Sequence, residues 1–369
     1  MAKPETQLEP RWAQAHLDDI VPYEPGKPPE LLARERGIAN AVKLSANENP
    51  LGPSPAAIAA VRAVASNVHR YPDDQAYNLR ARLARMLGVE PTELMFGHGS
   101  NELIDLLTRT IVGPTDHAIC GVPSFASYAL SLRAAHVPFT EVPLRGRLFW
   151  DLDAVLAAVR PETRLIFIDN PNNPTSTHVP ATTLRAFLRD VPKAVTVVVD
   201  EAYIDFAEAS DYVSSLTLRD LRERLVVVRT FSKAHALAAL RVGYAVAPAP
   251  LVGYVNRARL PFNANAVGQA AALASLDDTA HLAECVRANR QERARMIAAL
   301  RDLGVAPAPS QTNFVTVPFG ASAGPVYDGL LDAGLIVRQL GPPIADCLRI
   351  SIGSVAENDR LLAALSKLV

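Results

Sequence analysis

"VTVVVDEAY", residues 195–203, is the stretch on which the fold turns. Four valines and a threonine follow one another before an acid closes the run. A strand with one wet face alternates polar and apolar residues, whereas an uninterrupted run suits a strand covered on both faces, as in a parallel sheet. "HAICGV" (117–122), "RLIFID" (164–169) and "RLVVVRT" (224–230) read the same way. Helical periods such as "NELIDLLTRTI" (101–111) and "SYALSLRAA" (127–135) lie between them, so an α/β unit with a mostly parallel sheet between helices is predicted.

Upstream, "SPAAIAAVRAVASNV" (54–68) predicts a helix capped by Ser54 with Pro55 in its first turn, and "NLRARLARMLG" (78–88) predicts another closed by Gly88. Residues 1–44 are rich in proline, as in "VPYEPGKPPE" (21–30), and read as an irregular arm lying on the smaller domain or a partner subunit. Downstream of residue 260, a long helical stretch gives way to the short strands "TNFVTV" (312–317), "GLIVRQ" (334–339) and "CLRISIG" (347–353). The expected division is an arm over 1–44, a large domain over 45–260 and a smaller α+β domain over 261–369.

Composition narrows the function. The chain has 369 residues, 49% hydrophobic and 20% charged, with formal net charge −1. That leaves no global basic field for nucleic acid or for an anionic membrane surface. The 3 cysteines and 8 histidines are scattered, without zinc or disulfide spacing, so no metal is expected and a reducing compartment is. The polar start and the lack of a membrane-length apolar run point to a cytoplasmic protein.

Ligands of parallel sheets bind beyond the carboxyl ends of the strands. There the sequence places Pro123-Ser-Phe125, Asn170-Pro-Asn-Asn-Pro-Thr175, Asp200-Glu-Ala-Tyr203 and Thr230-Phe-Ser-Lys233. Asp200 reads either as a strand-end cap or ion pair, or as a desolvated functional acid. Lys233 reads either as a snorkelling lysine or as a buried amine ready for Schiff-base chemistry. Only six of the 37 lysines and arginines are lysine, which favours chemistry that a guanidinium cannot perform. In "FGHGSNELIDLL" (96–107) two glycines and Ser100 could cap a helix whose free N–H groups cradle a phosphate. An amine, an acid, a phenol, an amide, a ring and a phosphate cradle on one rim suit pyridoxal 5′-phosphate.

These residues resemble the histidinol-phosphate aminotransferase family of fold-type-I pyridoxal-phosphate enzymes. The likeness spans nearly the whole chain, through "LSANENPLGPSP" (44–55), "RYP" (70–72), "GHGSNELI" (97–104), "NPNNPTS" (170–176), "DEAYIDF" (200–206), "TFSKAHALAALRVGY" (230–244), "TNFV" (312–315) and "CLRISIG" (347–353). The resemblance implies that Lys233 forms the Schiff base with the cofactor and shuttles the substrate proton, and that Asp200 keeps the pyridine nitrogen protonated. It implies that Tyr203 and Asn173 bond the 3′-oxygen, and that Phe125 stacks on the ring in place of the usual tyrosine. It assigns the phosphate to Ser100, Asn101, Thr230, Ser232 and Arg241. It implies a homodimer in which Tyr71 reaches the neighbouring subunit's cofactor, and substrate contacts from Tyr23, Asn47, Arg338 and Arg349.

The reaction so implied is transamination of histidinol phosphate with 2-oxoglutarate. Alternatives are aromatic amino-acid transamination, threonine-phosphate decarboxylation and, last, a sensing module of a transcription regulator. The sequence departs from the family at His235, which brings a titratable ring near the site, and at Ala236 and Ala239, which replace glycines. Asn101 stands where aspartate is frequent, and no glycine follows Pro174-Thr175.

Overall fold

The computed structural model describes residues 12–369; the first eleven residues of the expected arm lie outside the described residues. At its centre is a seven-stranded sheet. Its strands are β1 (Leu94–His98), β2 (His117–Val122), β3 (Phe139–Pro143), β4 (Thr163–Asp169), β5 (Thr196–Asp200), β6 (Leu225–Thr230) and β7 (Val242–Val246). Their spatial order is β1-β7-β6-β5-β4-β2-β3. All pairings are parallel except those of β7, which runs against both β6 and β1.

The uninterrupted runs are explained by what covers them. Val198, Val226 and Val228 join Leu165 and Phe167 in a core on one face, beneath helices Gly99–Ile111, Ser127–Ala134 and Ala249–Ala258. Val197, Val199 and Val227 join Ile166 and Ile168 on the other face, beneath Leu152–Ala157 and Ala181–Asp190. Each fully buried valine contributes roughly 1.5–3 kcal/mol, so burial on both faces favours an uninterrupted apolar run over an alternating one. The strands that the apolar-run pattern does not pick out are β1, β3 and β7. β3 is an edge strand with only Val142 buried, and β1 and β7 each carry a glycine where the sheet meets a helix start.

A second sheet of three antiparallel strands, β8 (Phe314–Pro318), β9 (Arg338–Gln339) and β10 (Cys347–Ser351), has the order β9-β10-β8. It shares a core with helices Thr279–Asp302, Ala323–Asp332 and Val355–Leu365. The arm is not irregular throughout, contrary to expectation. Pro29–Arg36 is a helix that buries Leu32 against Leu331 and Ile336, and Val42–Lys43 pairs in parallel with Leu335–Ile336. Proline is tolerated in the first turn, where no N–H is needed, so a Pro-rich start does not forbid a helix. From Val42–Lys43 the chain crosses toward the large sheet at residues 45–48.

Sequence order reverses at β2, which has β3 on one side and β4 on the other. Such a switch point leaves a crevice beyond the carboxyl ends of the strands. Among the described residues no helix is long and apolar enough to cross a membrane.

Candidate active site

A cavity of about 390 Å³ fills that crevice and is walled by both sheets. Fourteen of the fifteen residues singled out in the sequence line it. The large sheet and its loops bring Ser100, Asn101, Phe125, Asn173, Asp200, Tyr203, Thr230, Ser232, Lys233 and Arg241; the arm, the 45–48 crossing and the small sheet bring Tyr23, Asn47, Arg338 and Arg349. Tyr71 is not among them. It is 83% exposed and stacks on Phe262 at 4.6 Å.

Two buried carboxylates form the floor. Asp200 ends β5, and its neighbour in register is Asp169 at the end of β4. Asp200 accepts hydrogen bonds from Ala202 N (2.9 Å) and from the Tyr128 hydroxyl (3.1 Å). Burial raises it to about 6, against the pull of those two donors. The next acid, Glu201, faces away and pairs with Arg229 at 2.8 Å, as the period of two along a strand requires. Asp169 and Tyr128 line the cavity and are site residues that sequence reasoning missed. Asp169 closes its strand just as Asp200 does, which was the available signal; Tyr128 lies on an ordinary helical period.

Among the described residues the Lys233 amine has no carboxylate partner. Nζ lies 3.3 Å from Ala46 O and 3.4 Å from Asn47 O, and 5.7 Å from the Tyr203 ring centre. Burial, then the nearby Arg349 and Arg241, bring it down to about 8 against the opposing pull of Glu48 and Asp200. An amine so placed gains and loses its proton near neutrality. Asn47 donates to the Tyr203 hydroxyl at 2.8 Å, and burial raises that phenol to about 12.

One corner of the cavity is built for an anion. The helix Gly99–Ile111 begins at Gly99, so Ser100 lies in its first turn and is not the expected cap. The N–H groups of Ser100 and Asn101 are among those a helix start leaves without intrahelical partners. Strand β7 packs so closely here that a Cβ on Gly243 would lie 2.6 Å from Ser100 N. Gly99 itself has φ +73°, and a Cβ there would run into the Arg241 guanidinium. Thr230 Oγ1 donates to Ser232 Oγ at 2.9 Å, and Arg241 Nη1 to Ala238 O at 3.1 Å.

The small sheet supplies a second anion corner. Arg338 and Arg349 face each other in register across β9 and β10. Arg349 donates to Asn173 Oδ1 and Ser45 O, both at 2.6 Å, while its buried Nε has no partner among the described residues. Arg338 lies over the Tyr23 ring at 5.6 Å. Among the described residues Lys233, Arg241 and Arg349 bond only carbonyl, amide and hydroxyl oxygens. Buried cations without acids call for an anionic ligand. A ring with a phosphate arm, a basic nitrogen, a phenolic oxygen and an aldehyde finds a partner here for each part.

The departures from the family pattern resolve in different ways. His235 does not approach the cavity. Its Nδ1 is 2.8 Å from Ser275 Oγ, its ring packs on Phe231, and burial lowers its pKa. Ala236 keeps a left-handed backbone at φ +57° although it has a Cβ, and so does Ser176 at φ +66° after Pro174-Thr175. Ser176 recovers part of that cost by donating to Pro309 O at 3.0 Å. Ala236 has no such side-chain bond. Ala236→Gly is therefore expected to stabilise the protein by about 1 kcal/mol, read as a rise in Tm; an unchanged or lower Tm would contradict the strain.

Comparison with known proteins agrees with this geometry. The aminotransferase class I and II family profile matches residues 39–365. A histidinol-phosphate aminotransferase of Anaeromyxobacter sp. is 43% identical, covering 96% of this chain and 98% of its own. Histidinol-phosphate aminotransferase 2 of Pseudomonas aeruginosa is 42% identical, covering 97% of each. The crystal structure of histidinol-phosphate aminotransferase from Sinorhizobium meliloti, in complex with pyridoxal-5′-phosphate, superposes with TM-score 0.89 at 30% identity over 97% of both chains. The chain belongs to the class I and II aminotransferases.

Proposed function

We propose that the protein is a pyridoxal-phosphate transaminase that converts L-histidinol phosphate and 2-oxoglutarate to imidazole-acetol phosphate and L-glutamate. The observation that carries this reading is the pair of anion corners, one on each sheet, with the unpaired Lys233 amine in the same cavity. One corner would take the cofactor phosphate and the other the phosphate of histidinol phosphate or the carboxylate of the keto acid. The similarity to histidinol-phosphate aminotransferases over nearly the full chain supports the same substrate.

Bound pyridoxal phosphate supplies an aldehyde for imine exchange and a ring that withdraws electrons from the substrate carbon. The protein's contribution is position and proton control. Ser100 N–H, Asn101 N–H, Thr230, Ser232 and Arg241 would hold the phosphate, and Phe125 would cover one ring face. Asp200, as carboxylate, would accept a hydrogen bond from the ring nitrogen and keep it protonated. Tyr203 and Asn173 would donate to the phenolic oxygen. Lys233 Nζ, poised near neutrality, would be the amine that holds the cofactor through its aldehyde and the group that holds or moves the proton at the substrate carbon. Tyr23, Asn47, Arg338 and Arg349 would orient the substrate.

The reading includes a cytoplasmic homodimer. Tyr71 and Phe262 form an exposed stacked pair beside exposed Leu260, a face suited to a second copy, from which Tyr71 would reach the partner's cofactor phosphate. The 3 free cysteines, all buried, suit a reducing compartment. Measured on one preparation, kcat/KM is expected to be highest for histidinol phosphate, ahead of phenylalanine and threonine phosphate. A tenfold preference for phenylalanine, about 1.4 kcal/mol of transition-state discrimination, would replace this substrate with an aromatic amino acid.

A further inference from the structure

Asp169 is 3% exposed, and among the described residues its carboxylate bonds only N–H groups of amides. Its Oδ2 accepts the backbone N–H of Asn173 at 3.0 Å and that of Phe125 at 3.3 Å, and its Oδ1 accepts Asn172 Nδ2 at 2.7 Å. The three donors come from two loops. One lies after β2 and carries Phe125; the other lies after β4 and carries Asn172 and Asn173. The indole of Trp150 holds the same residue from behind, donating to Asp169 O at 3.0 Å.

The donor set determines which form of the acid this arrangement needs. Both oxygens accept from N–H groups, so a proton turns one of them into a poor acceptor and removes the charge that strengthens all three bonds. An asparagine is worse placed, because its NH₂ must face either Asn172 Nδ2 or the two backbone amides. Asn172 cannot turn its oxygen to relieve this without losing the bonds from Thr175 N (3.0 Å) and Thr175 Oγ1 (2.7 Å). The ionised carboxylate accepts all three as charge-assisted bonds, and the protonated acid holds the same donors far more weakly.

We propose that Asp169 is a positioning residue whose carboxylate clamps the Phe125 loop and the Asn173 loop together, and that the clamp loosens when the carboxylate takes up a proton. The link from the clamp to cofactor affinity rests on the function proposed above; the clamp itself does not. Burial and the neighbouring Asp200 charge oppose the Asn173 and Asn172 donors and leave Asp169 at about 7, so the change falls in a working range of pH. The other titratable groups around it are the Cys120 thiol on β2, the Tyr128 phenol on helix Ser127–Ala134, the Tyr203 phenol beyond β5 and Asp200 itself. Burial raises both phenols and the thiol far from neutrality, so Asp200 is the one neighbour that titrates nearby.

Hydrogen exchange of the apoprotein tests the clamp without any cofactor. In the wild type, protection of the Phe125 and Asn173 amides, corrected for intrinsic rate, is expected to fall as pH drops through about 7, by up to about tenfold per pH unit. Asp169→Asn should remove that step and leave both amides weakly protected throughout. Asp200→Asn should keep the step but move it to lower pH, because a neighbouring negative charge is gone. In a parallel titration with pyridoxal phosphate, Asp169→Asn should bind at least about tenfold more weakly than wild type at pH 8, and the ratio of the two Kd values should shrink toward one as pH falls below about 6, the titration of Lys233 being common to both. If wild-type protection of both amides is flat between pH 5 and 8.5, the clamp is wrong, and this arm needs no variant to fold. Exchange behaviour as expected with no binding of pyridoxal phosphate would leave the clamp standing and overturn the proposed function.

Discussion

Lys233→Ala is expected to reduce turnover by at least about 10⁴-fold and to abolish the absorbance of covalently held pyridoxal phosphate. The loss combines removal of the nucleophile with removal of the group that moves the substrate proton, the latter alone contributing roughly 10²–10⁴-fold. Folding should survive, because Nζ makes only two long contacts, to Ala46 O and Asn47 O. The variant also removes a buried charge that is held at about 8 in the folded chain, below its ordinary value of 10.5. The unfolded chain binds this proton more tightly, so the charge costs stability below pH 8 and the cost fades as pH rises toward 10.5. At pH 7 apo Lys233→Ala should therefore melt no lower than apo wild type. Lys233→Arg should be as inactive, since a guanidinium does not lose its proton in this range. A fully active alanine variant would remove Lys233 from the mechanism.

Asp200→Asn is expected to lower kcat/KM by roughly 10³-fold, about 4 kcal/mol of lost electrostatic stabilisation, with the cavity's shape preserved. Its stability should move the other way. Asp200 is held at about 6 when folded, above its ordinary 3.8, so the folded state binds the proton more tightly. The stability this contributes is complete below pH 3.8 and is lost as pH rises through 6. At pH 8 the apo variant should therefore outlast the apo wild type by up to about 3 kcal/mol, the difference vanishing near pH 4. Activity and melting temperature measured on the same samples check both signs. An apo variant less stable than wild type at pH 8 would mean that the Tyr128 and Ala202 donors, not burial, dominate the site.

Much of the site was legible in the sequence because a parallel sheet delivers its strand ends to one rim, so the residues just past each apolar run are also the residues of the cavity. The end of β5 shows the limit. Asp200 and Glu201 are adjacent acids, and only the alternation of the strand decides that Asp200 faces the cavity while Glu201 meets Arg229. Asp169 was hidden for a related reason. It ends a strand whose next residues, Asn170–Asn173, carry a familiar motif, and the carboxylate that holds that motif drew no attention. His235 misled in the opposite sense: it is near Lys233 in sequence, yet its ring turns toward Ser275, away from the cavity. The turns at Ser176 and Ala236 kept their left-handed backbones without glycine, so a missing glycine signalled a strained turn, not a changed path. Tyr71 could be read only as a residue in search of a second copy, and a single chain leaves it on the surface.

The division of the cavity between two sheets carries a consequence for how such a protein diversifies. The groups proposed for the chemistry sit on β4, β5, β6 and the helix at Gly99, whereas Tyr23, Arg338 and Arg349 sit on the arm and the small sheet. Mutational drift at Tyr23 and Arg338 can try out new substrates while the machinery on the first set stays intact, whereas Arg349, which bonds Asn173 and helps lower Lys233, is tied to both. Duplicated copies of the gene could thus part ways in diet without either losing its craft, and laboratory retargeting should begin at Tyr23 and Arg338.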